Sequence, residues 1–320
     1  MGVFMKIGIP KGLLYSNYHI FAQVFLMRLG AEIVVSPDTN KQILDEGVKL
    51  CVDDACLPIK VFHGHVSWLR GKCDAILIPR FVTMEDNKYI CPMFCGLIEM
   101  IKNSVPDIPR IIGEPVYSLC GKKLFEWAVK TARPLTENKK AISGAFAYAL
   151  AEQKKQEKVV DKSAYAFKAA LAGHIYNLSD PFINMNLIEK LGRLSIGVVT
   201  PDSVAEADIK REVGMLFKKP FWYFAQQYYG SAVHLFKSGV VGGIVYVSAF
   251  SCGVDSVVIE LIRGAVGDFP FMVLKLDEHT GEAAFDTRIE AFADMLKRRA
   301  LIGNNVPQNG QHLSCGQSVV

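Results

Sequence analysis

Short apolar runs alternate with amphipathic stretches over the first third of the chain. The apolar runs have the length of buried strands, and the stretches between them have helical spacing, with the segment Pro37-Asp-Thr-Asn40 placed to cap one helix. Strands are predicted at residues 6–10, 32–36, 75–79 and 110–114. Helices are predicted at residues 15–29, 41–50, 58–69 and 97–103. This alternation is typical of a parallel sheet, so residues 1–117 are predicted to form one α/β domain.

The same alternation returns near residue 194, after a stretch whose pattern is helical. Between residues 119 and 172 the pattern predicts helices and no strand, and another helix is predicted at 180–191. Further strands are predicted at 194–200, 243–250 and 270–276, with helices at 203–218, 221–238 and 285–298. The predicted organisation is therefore a helical bridging segment at 118–192, a second α/β domain at 193–302 and a disordered tail at 303–320.

The fold class that follows is α/β, with two Rossmann- or flavodoxin-like parallel-sheet domains joined by a helical segment. Ligands of open parallel sheets bind beyond the carboxyl ends of the strands. The residues that follow each predicted strand are therefore the first candidates for a functional site.

Composition and charge exclude several classes of protein. Half of the 320 residues are apolar, 21% are charged and the net charge is +4. The basic residues do not cluster with aromatic ones on a single element, so nucleic-acid binding is not expected. No signal-peptide core or membrane-length apolar run appears, and we expect a cytoplasmic protein with no membrane contact. Eight cysteines in such a protein favour metal, cluster or redox roles over disulfides.

Three cysteines occupy positions that suit a site. Cys56 lies two residues before Pro58, so it is predicted at a helix N-terminus, where the helix dipole favours a thiolate. Cys91 directly precedes a proline, a pairing that recurs beside iron–sulfur ligands, and Cys95 follows four residues later. Cys252 follows a predicted strand and precedes a glycine. Structural burial is the alternative interpretation for Cys56 and Cys252.

The remaining cysteines are weaker candidates. Cys51, Cys73 and Cys120 lie within or beside predicted elements and are expected to be buried structural residues, while Cys315 lies in the predicted tail. The chain has no Cys-x-x-Cys motif, which speaks against zinc ribbons and thioredoxin-type pairs.

Other polar residues also follow predicted strands. Lys11 follows the first strand and Arg80 the third. His279 stands among Asp277, Glu278 and Glu282, which could relay protons or could form a turn and a helix cap; both interpretations stay open.

A zinc site built from scattered ligands, including His63 or His65, stays an open alternative. His63 and His65 would point about 200° apart on one helix, so they cannot both face one site. The chain has no P-loop, dinucleotide fingerprint or nucleophile elbow, so it is not expected to hydrolyse ATP through a P-loop, bind NAD in the usual way or act as a serine hydrolase.

Several motifs together resemble one family. They are Ile7-Gly-Ile-Pro-Lys-Gly-Leu-Leu-Tyr15, Asp54-Ala-Cys-Leu-Pro58, Lys60-Val-Phe-His-Gly-His-Val66, Ile78-Pro-Arg80, Tyr89-Ile-Cys-Pro92, Asp180-Pro-Phe-Ile-Asn184, Phe250-Ser-Cys-Gly-Val-Asp-Ser256 and Leu276-Asp-Glu-His-Thr-Gly-Glu-Ala283. The chain resembles, over residues 6–300, the activase-related proteins of the 2-hydroxyacyl-CoA dehydratase system. Their fold relatives are the iron–sulfur subunits of 2-hydroxyacyl-CoA dehydratases, benzoyl-CoA reductases and double-cubane cluster proteins.

The resemblance implies an iron–sulfur cluster, of the [4Fe–4S] or double-cubane type, held between two α/β domains. It carries the ligand role to Cys56, Cys91 and Cys252, with Cys95 as a candidate fourth ligand. It also implies that an activase-type ATPase delivers electrons to the cluster. The chain departs from the family pattern at Gly253-Val-Asp255, where Gly-Pro-Asp is expected.

The leading hypothesis is a low-potential reductase or a dehydratase-like lyase component, with Lys11, Arg80 and His279 as candidate catalytic or substrate-contacting residues. Two alternatives stay open: a non-catalytic electron-transfer or cluster-carrier protein, and a zinc- or thiol-based regulator. The expected partners are an activase-type ATPase and a second copy of the chain or a related dehydratase-like subunit.

Overall fold

A computed structural model describes residues 4–85, 87–155 and 165–305, and this part of the chain contains twelve strands and twelve α-helices. The strands are β1 (Lys6–Ile9), β2 (Glu32–Val35), β3 (Ala75–Leu77), β4 (Arg80–Phe81), β5 (Thr83–Glu85), β6 (Lys88–Tyr89), β7 (Arg110–Ile112), β8 (Pro115–Val116), β9 (Phe167–Gly173), β10 (Ile196–Val199), β11 (Gly243–Ala249) and β12 (Phe271–Leu276). The helices are α1 (Tyr15–Arg28), α2 (Lys41–Leu50), α3 (Leu57–Leu69), α4 (Pro92–Ser104), α5 (Gly121–Ala132), α6 (Lys139–Lys154), α7 (Ile175–Leu178), α8 (Leu187–Arg193), α9 (Glu206–Gly214), α10 (Tyr223–Lys237), α11 (Gly253–Val266) and α12 (Glu282–Asn305).

Two four-stranded sheets, parallel throughout, organise the molecule. The first has the order β2-β1-β3-β7 and the second the order β10-β9-β11-β12. In each sheet the chain starts at an inner strand, moves to one side and then crosses to the other, which opens a crevice at the carboxyl ends of the inner strands. The predicted α/β class with two flavodoxin-like parallel sheets is confirmed.

The inner strand β9 was not predicted. It lies in the segment for which the pattern gave helices only, and it pairs with β10 on one side and β11 on the other. Alanine favours helices, and Ala169, Ala170 and Ala172 suggest one. Burial on both faces of the sheet makes this run a strand instead, since these alanines have no exposed surface.

Smaller differences occur at the edges of elements. Two minor sheets, β4 with β8 and β5 with β6, follow the first domain's strands and were not predicted. The helix predicted at 180–191 begins only at Leu187, and α12 extends through Asn305, so the first residues of the predicted tail are helical. The rest of that tail, including Cys315, lies outside the described residues.

Helices α2 and α3 cross at two glycines. They belong to the first half of the molecule (residues 4–155, with the first sheet) and pack against the second half (residues 165–305, with the second sheet). A Cβ atom on Gly47 would lie 1.8 Å from the Lys60 carbonyl oxygen, and one on Gly64 would lie 1.9 Å from the Ile43 carbonyl oxygen. The crossing therefore requires glycine at both positions. Apolar residues of the pair share one core cluster with the second sheet: Ile43, Leu57, Val61, Val245, Val247 and Leu276.

Among the described residues, no helix combines the length and the apolar character needed to cross a bilayer.

Candidate metal centre

A cavity of about 500 Å³ lies between the two halves of the molecule, and three of its wall residues are cysteines. Cys56 and Cys91 come from the first half and Cys252 from the second. Most of the other wall residues are apolar or aromatic: Leu13, Ile59, Met93, Phe94, Tyr176, Pro220, Phe221, Trp222, Ala225, Val254, Val257 and Val258. The cavity therefore combines three sulfur donors with a largely apolar surround.

Each of these cysteines is the residue immediately before a helix. Cys56 precedes α3, Cys91 precedes α4 and Cys252 precedes α11. Prolines in the first turns of α3 and α4 suit helix starts because a first-turn N–H has no partner within the helix. Three helix N-termini thus direct their partial positive charge toward the cavity.

Burial nevertheless keeps these thiols protonated. It raises the pKa of the Cys56 thiol to about 11, although the backbone N–H of Ile59 acts in the opposite direction. Burial also raises the pKa of Cys91 and, with the nearby carboxylate of Asp255, that of Cys252. The thiolate expected at Cys56 from its helix position is therefore wrong for the metal-free protein, because desolvation outweighs the hydrogen bonds at the helix start.

A buried polar cluster adjoins Cys252. The Nε2 atom of His174 lies 3.7 Å from Cys252 Sγ and 3.3 Å from Asp255 Oδ1. The Tyr246 hydroxyl donates to the same carboxylate oxygen at 2.7 Å. Burial alone would raise the pKa of Asp255, but interaction with the His174 imidazole and the hydrogen bonds from His174 and Tyr246 hold it below its ordinary value. The ligand atoms of His174, Cys252 and Asp255 lie within 4.8 Å of one another, so this triad could hold a metal ion.

A family model described as "CoA enzyme activase uncharacterised domain" matches residues 6–204. The chain belongs to this family. The match confirms the resemblance to activase-related proteins, and the family's description associates it with the activation of CoA enzymes. Among curated proteins, none is similar enough to the chain to count as a match.

The part of the chain that matches the CoA enzyme activase domain carries only some of the site. Cys56, Cys91 and His174 lie within residues 6–204, whereas Cys252 and Asp255 lie beyond them. The cavity is therefore completed by a segment outside the family match.

Cys95 and Arg80 lie next to each other but do not line the cysteine cavity. Cys95 lies in the first turn of α4 and its Sγ donates to the Phe81 carbonyl at 3.5 Å. The Arg80 guanidinium donates to both carboxylate oxygens of Glu99, at 2.8 and 2.6 Å, and to the Cys95 carbonyl at 2.6 Å. The structure thus brings Cys56, Cys91 and Cys252 to one cavity without Cys95. Arg80 forms an ion pair with Glu99 of α4.

Lys11 and His279 also lie outside the cysteine cavity. Lys11 forms an ion pair with Asp38 and lines a separate cavity of about 520 Å³. Asp277 accepts hydrogen bonds from the backbone of His279 and the hydroxyl of Thr280, at 2.9 and 2.8 Å, which is the turn arrangement that the sequence left open. His279 itself is exposed. A substrate contact for Lys11, Arg80 or His279 stays a prediction.

The other histidines and cysteines have separate surroundings. His65 accepts or donates hydrogen bonds with the hydroxyls of Ser36 and Thr39, at 2.9 and 3.1 Å, while His63 Nδ1 bonds the Ile59 carbonyl at 2.8 Å. The two histidines therefore face different partners, as their spacing predicts. Cys51 and Cys73 are partly buried. Cys120, expected to be buried, is exposed at the start of α5, where the backbone is open to solvent: a Cβ atom on the next residue, Gly121, would meet none of the described atoms within 4 Å.

Sequence reasoning missed His174 because it missed β9, the strand that ends just before it. Gly173 was the available signal. Its φ is +126°, and a Cβ atom there would lie 2.2 Å from the Val247 carbonyl oxygen, so only glycine fits. A glycine that ends a short run of small apolar residues favours a strand end over a helix interior.

Proposed function

We propose that this chain holds an iron–sulfur centre, of the [4Fe–4S] or double-cubane type, between its two halves and receives low-potential electrons there from an activase-type ATPase. The observation that carries the proposal is the convergence of Cys56, Cys91 and Cys252 on one cavity, each from the start of a different helix.

The residues present fit such a group. Among the described residues that line the cavity there is no lysine or arginine, so no permanently charged cation faces three thiolates there. A bound metal supplies the missing positive charge and displaces the protons from the thiols. Burial raises the pKa of each of these thiols in the metal-free cavity, and the three helix N-termini suit the negative charge of a thiolate-bound cluster.

An iron–sulfur centre, when bound, takes up and releases single electrons at a potential set by its charge, hydrogen bonds and exposure to solvent. Within this chain, the three cysteines would hold the centre, and the apolar walls would exclude water from it. The family's description supports a place in the activation of CoA enzymes, with an activase-type ATPase and a CoA-enzyme subunit as partners. The reaction would then be a low-potential reduction or a dehydratase-like elimination.

A second candidate is a zinc-based regulator, and one observation favours it. In a tetrahedral zinc site with Zn–S of about 2.3 Å and Zn–N of about 2.0–2.1 Å, the sulfur and nitrogen ligands lie about 3.6 Å apart. The distance from Cys252 Sγ to His174 Nε2 is 3.7 Å. A single ion on this triad would leave Cys56 and Cys91 without a ligand role.

The test is the content of iron, acid-labile sulfide and zinc per chain after anaerobic purification. We expect about four irons with matching sulfide for one cubane cluster. Cys56→Ala, Cys91→Ala and Cys252→Ala should each lose most of both, whereas Cys120→Ala, which removes an exposed thiol at another helix start, should keep them. A protein without iron even after reconstitution contradicts the proposal. Zinc that only Cys252→Ala removes supports the regulator instead.

An open iron distinguishes an enzyme from an electron carrier. Added cyanide should change the visible spectrum of a centre held by three cysteines, because one iron would then lack a protein ligand. A spectrum indifferent to cyanide favours the non-catalytic carrier.

A further inference from the structure

We infer that His174 is a positioning residue whose Nε2–H donates a hydrogen bond to the sulfur of Cys252 and thereby raises the reduction potential of the proposed centre. The inference rests on the proposed function for its redox consequence. The hydrogen bond itself can be tested without the metal.

The geometry places one imidazole edge between two acceptors. His174 is 2% exposed and follows β9, while Cys252 follows the neighbouring strand β11, so the two residues meet at the carboxyl ends of adjacent strands. His174 Nε2 lies 3.7 Å from Cys252 Sγ, a distance suited to a hydrogen bond to sulfur, and 3.3 Å from Asp255 Oδ1, so its single N–H is shared between the sulfur and the carboxylate as a three-centre hydrogen bond. The backbone N–H of Asp255 also donates to the same sulfur, at 3.5 Å.

The surroundings of the ring decide which nitrogen carries the proton. Within the described residues, His174 Nδ1 is buried and has no hydrogen-bond partner. The ring stacks on Tyr176 at 4.8 Å with an interplanar angle of 8°, and its edge meets the rings of Phe224 and Tyr228. Both acceptors face Nε2, so a proton on Nε2 satisfies a donor, whereas a proton on Nδ1 would leave a buried donor unpaired.

This tautomer makes His174 a donor to the site and not a metal ligand. A ligating Nε2 must be unprotonated, and ligating histidines normally donate their other N–H to an acceptor. His174 Nδ1 has no such acceptor among the described residues. The single-ion site on the His174, Cys252 and Asp255 triad is therefore disfavoured, and the short sulfur–nitrogen distance is explained by hydrogen bonding.

Asp255 and Tyr246 hold the imidazole in place. Asp255 is fully buried, and its Oδ1 accepts from Tyr246 at 2.7 Å while facing His174 Nε2. Both partners stand on elements of the second half, α11 and β11. An N–H directed at a thiolate ligand favours the more negatively charged reduced form of a centre, so it raises the potential.

The redox test compares three variants by EPR-monitored titration of the iron-loaded protein. His174→Phe keeps an aromatic ring without the donor, and His174→Gln offers an N–H in a similar place. His63→Gln changes a fully buried histidine whose ring, within the described residues, forms its hydrogen bond with a carbonyl of its own helix. We expect His174→Phe to lower the ratio of reduced to oxidised centre at a fixed potential by about tenfold, as loss of a hydrogen bond to a charged group implies. That change is about 59 mV for one electron.

The expected pattern separates hydrogen bonding from packing. His174→Gln should recover part of the shift, and His63→Gln should leave the potential unchanged. A His174→Phe protein that holds iron at the wild-type potential overturns the inference, as does an equal shift in His63→Gln.

The metal-free test measures alkylation of Cys252 by iodoacetamide at pH 9, resolved by mass spectrometry of its peptide. We expect about three- to fourfold slower alkylation in His174→Phe, because loss of the donor leaves less thiolate and the higher nucleophilicity of that thiolate offsets only part of the loss, with an intermediate rate in His174→Gln. If the protein binds no iron but shows this pattern, the proposed function fails and the hydrogen bond stands. Unchanged alkylation in both variants overturns the hydrogen bond whether or not iron binds.

Discussion

Burial governs the chemistry of individual thiols in this molecule more than helix position does. Cys56 and Cys120 both stand directly before a helix, yet Cys56 lies within an apolar cavity wall and Cys120 is exposed. The raised pKa of Cys56 follows from that burial. The same residue is thus poorly suited to a free thiolate and well suited to a metal that displaces its proton.

The pKa of Cys56 predicts how the stability of the metal-free protein depends on pH. In the unfolded chain this thiol ionises near pH 8.5, whereas in the folded protein its pKa is about 11. Between these values only the unfolded state loses the proton, so the free energy of unfolding falls as pH rises. The thiol's contribution is fully present below pH 8.5 and should fall by about 2–3 kcal/mol by pH 11.

Urea unfolding at several pH values checks this, with the difference between wild type and Cys56→Ala isolating one thiol. We expect the wild-type advantage over Cys56→Ala to shrink above pH 9. A constant difference for Cys56→Ala would mean that its thiol ionises equally in both states.

Elements with strong local signals could be predicted from the sequence, and an element defined by its surroundings could not. Helix α2 has the predicted bounds because Asn40 caps it, its side chain accepting from the Ile43 N–H at 3.1 Å. Strand β9 offers only Gly173 as a local signal, because its other small residues suit a helix and it becomes a strand through pairing with two neighbouring strands. The cysteine positions could be predicted from their prolines and strand ends, but His174 depended on β9.

The end of β9 gives a prediction about backbone conformation. Gly173→Ala would place a Cβ atom 2.2 Å from the Val247 carbonyl oxygen at a φ of +126°, so the strand end must shift. We expect a loss of at least about 2 kcal/mol in the free energy of unfolding, and displacement of the adjacent His174. Thermal and urea unfolding measure the loss.

Gly264→Ala is the matched control for Gly173→Ala. Gly264 lies within α11, and a Cβ atom there would meet nothing within 4 Å. Alanine should therefore stabilise the protein by about 0.5–1 kcal/mol. Equal effects of the two substitutions would contradict the conformational argument.

At the scale of the whole molecule, a buried ion pair connects the two halves. Lys60 on α3 is almost fully buried and its Nζ lies 2.5 Å from the carboxylate of Glu278, which follows β12. Glu278→Gln would leave the Lys60 ammonium buried without a countercharge. We expect it to destabilise the protein by about 3 kcal/mol, and Lys60→Met to cost less because Glu278 can reach water.

Urea unfolding of the two single variants and the double variant checks the asymmetry. The double variant should be more stable than Glu278→Gln alone, because no charge is then left unpaired. Lys41→Ala, which breaks an exposed pair with Asp45, should cost less than about 1 kcal/mol. A Glu278→Gln protein as stable as Lys41→Ala would show that the buried pair does not contribute.

The close crossing of α2 and α3 at two glycines predicts what would happen if the chain were expressed as two separate fragments. Fragments comprising residues 1–155 and 165–320 would each keep one parallel sheet, and the sequence alone suggests that each could stand as a separate module. The first fragment would nevertheless expose Ile43, Leu57 and Val61 to water. The second fragment would lose the apolar side chains of α2 and α3 that pack in one core cluster with residues of its sheet. Because the close crossing fixes α2 and α3 against each other, their apolar side chains belong to the core of the second sheet. The two fragments should therefore recover a native core only when they reassociate.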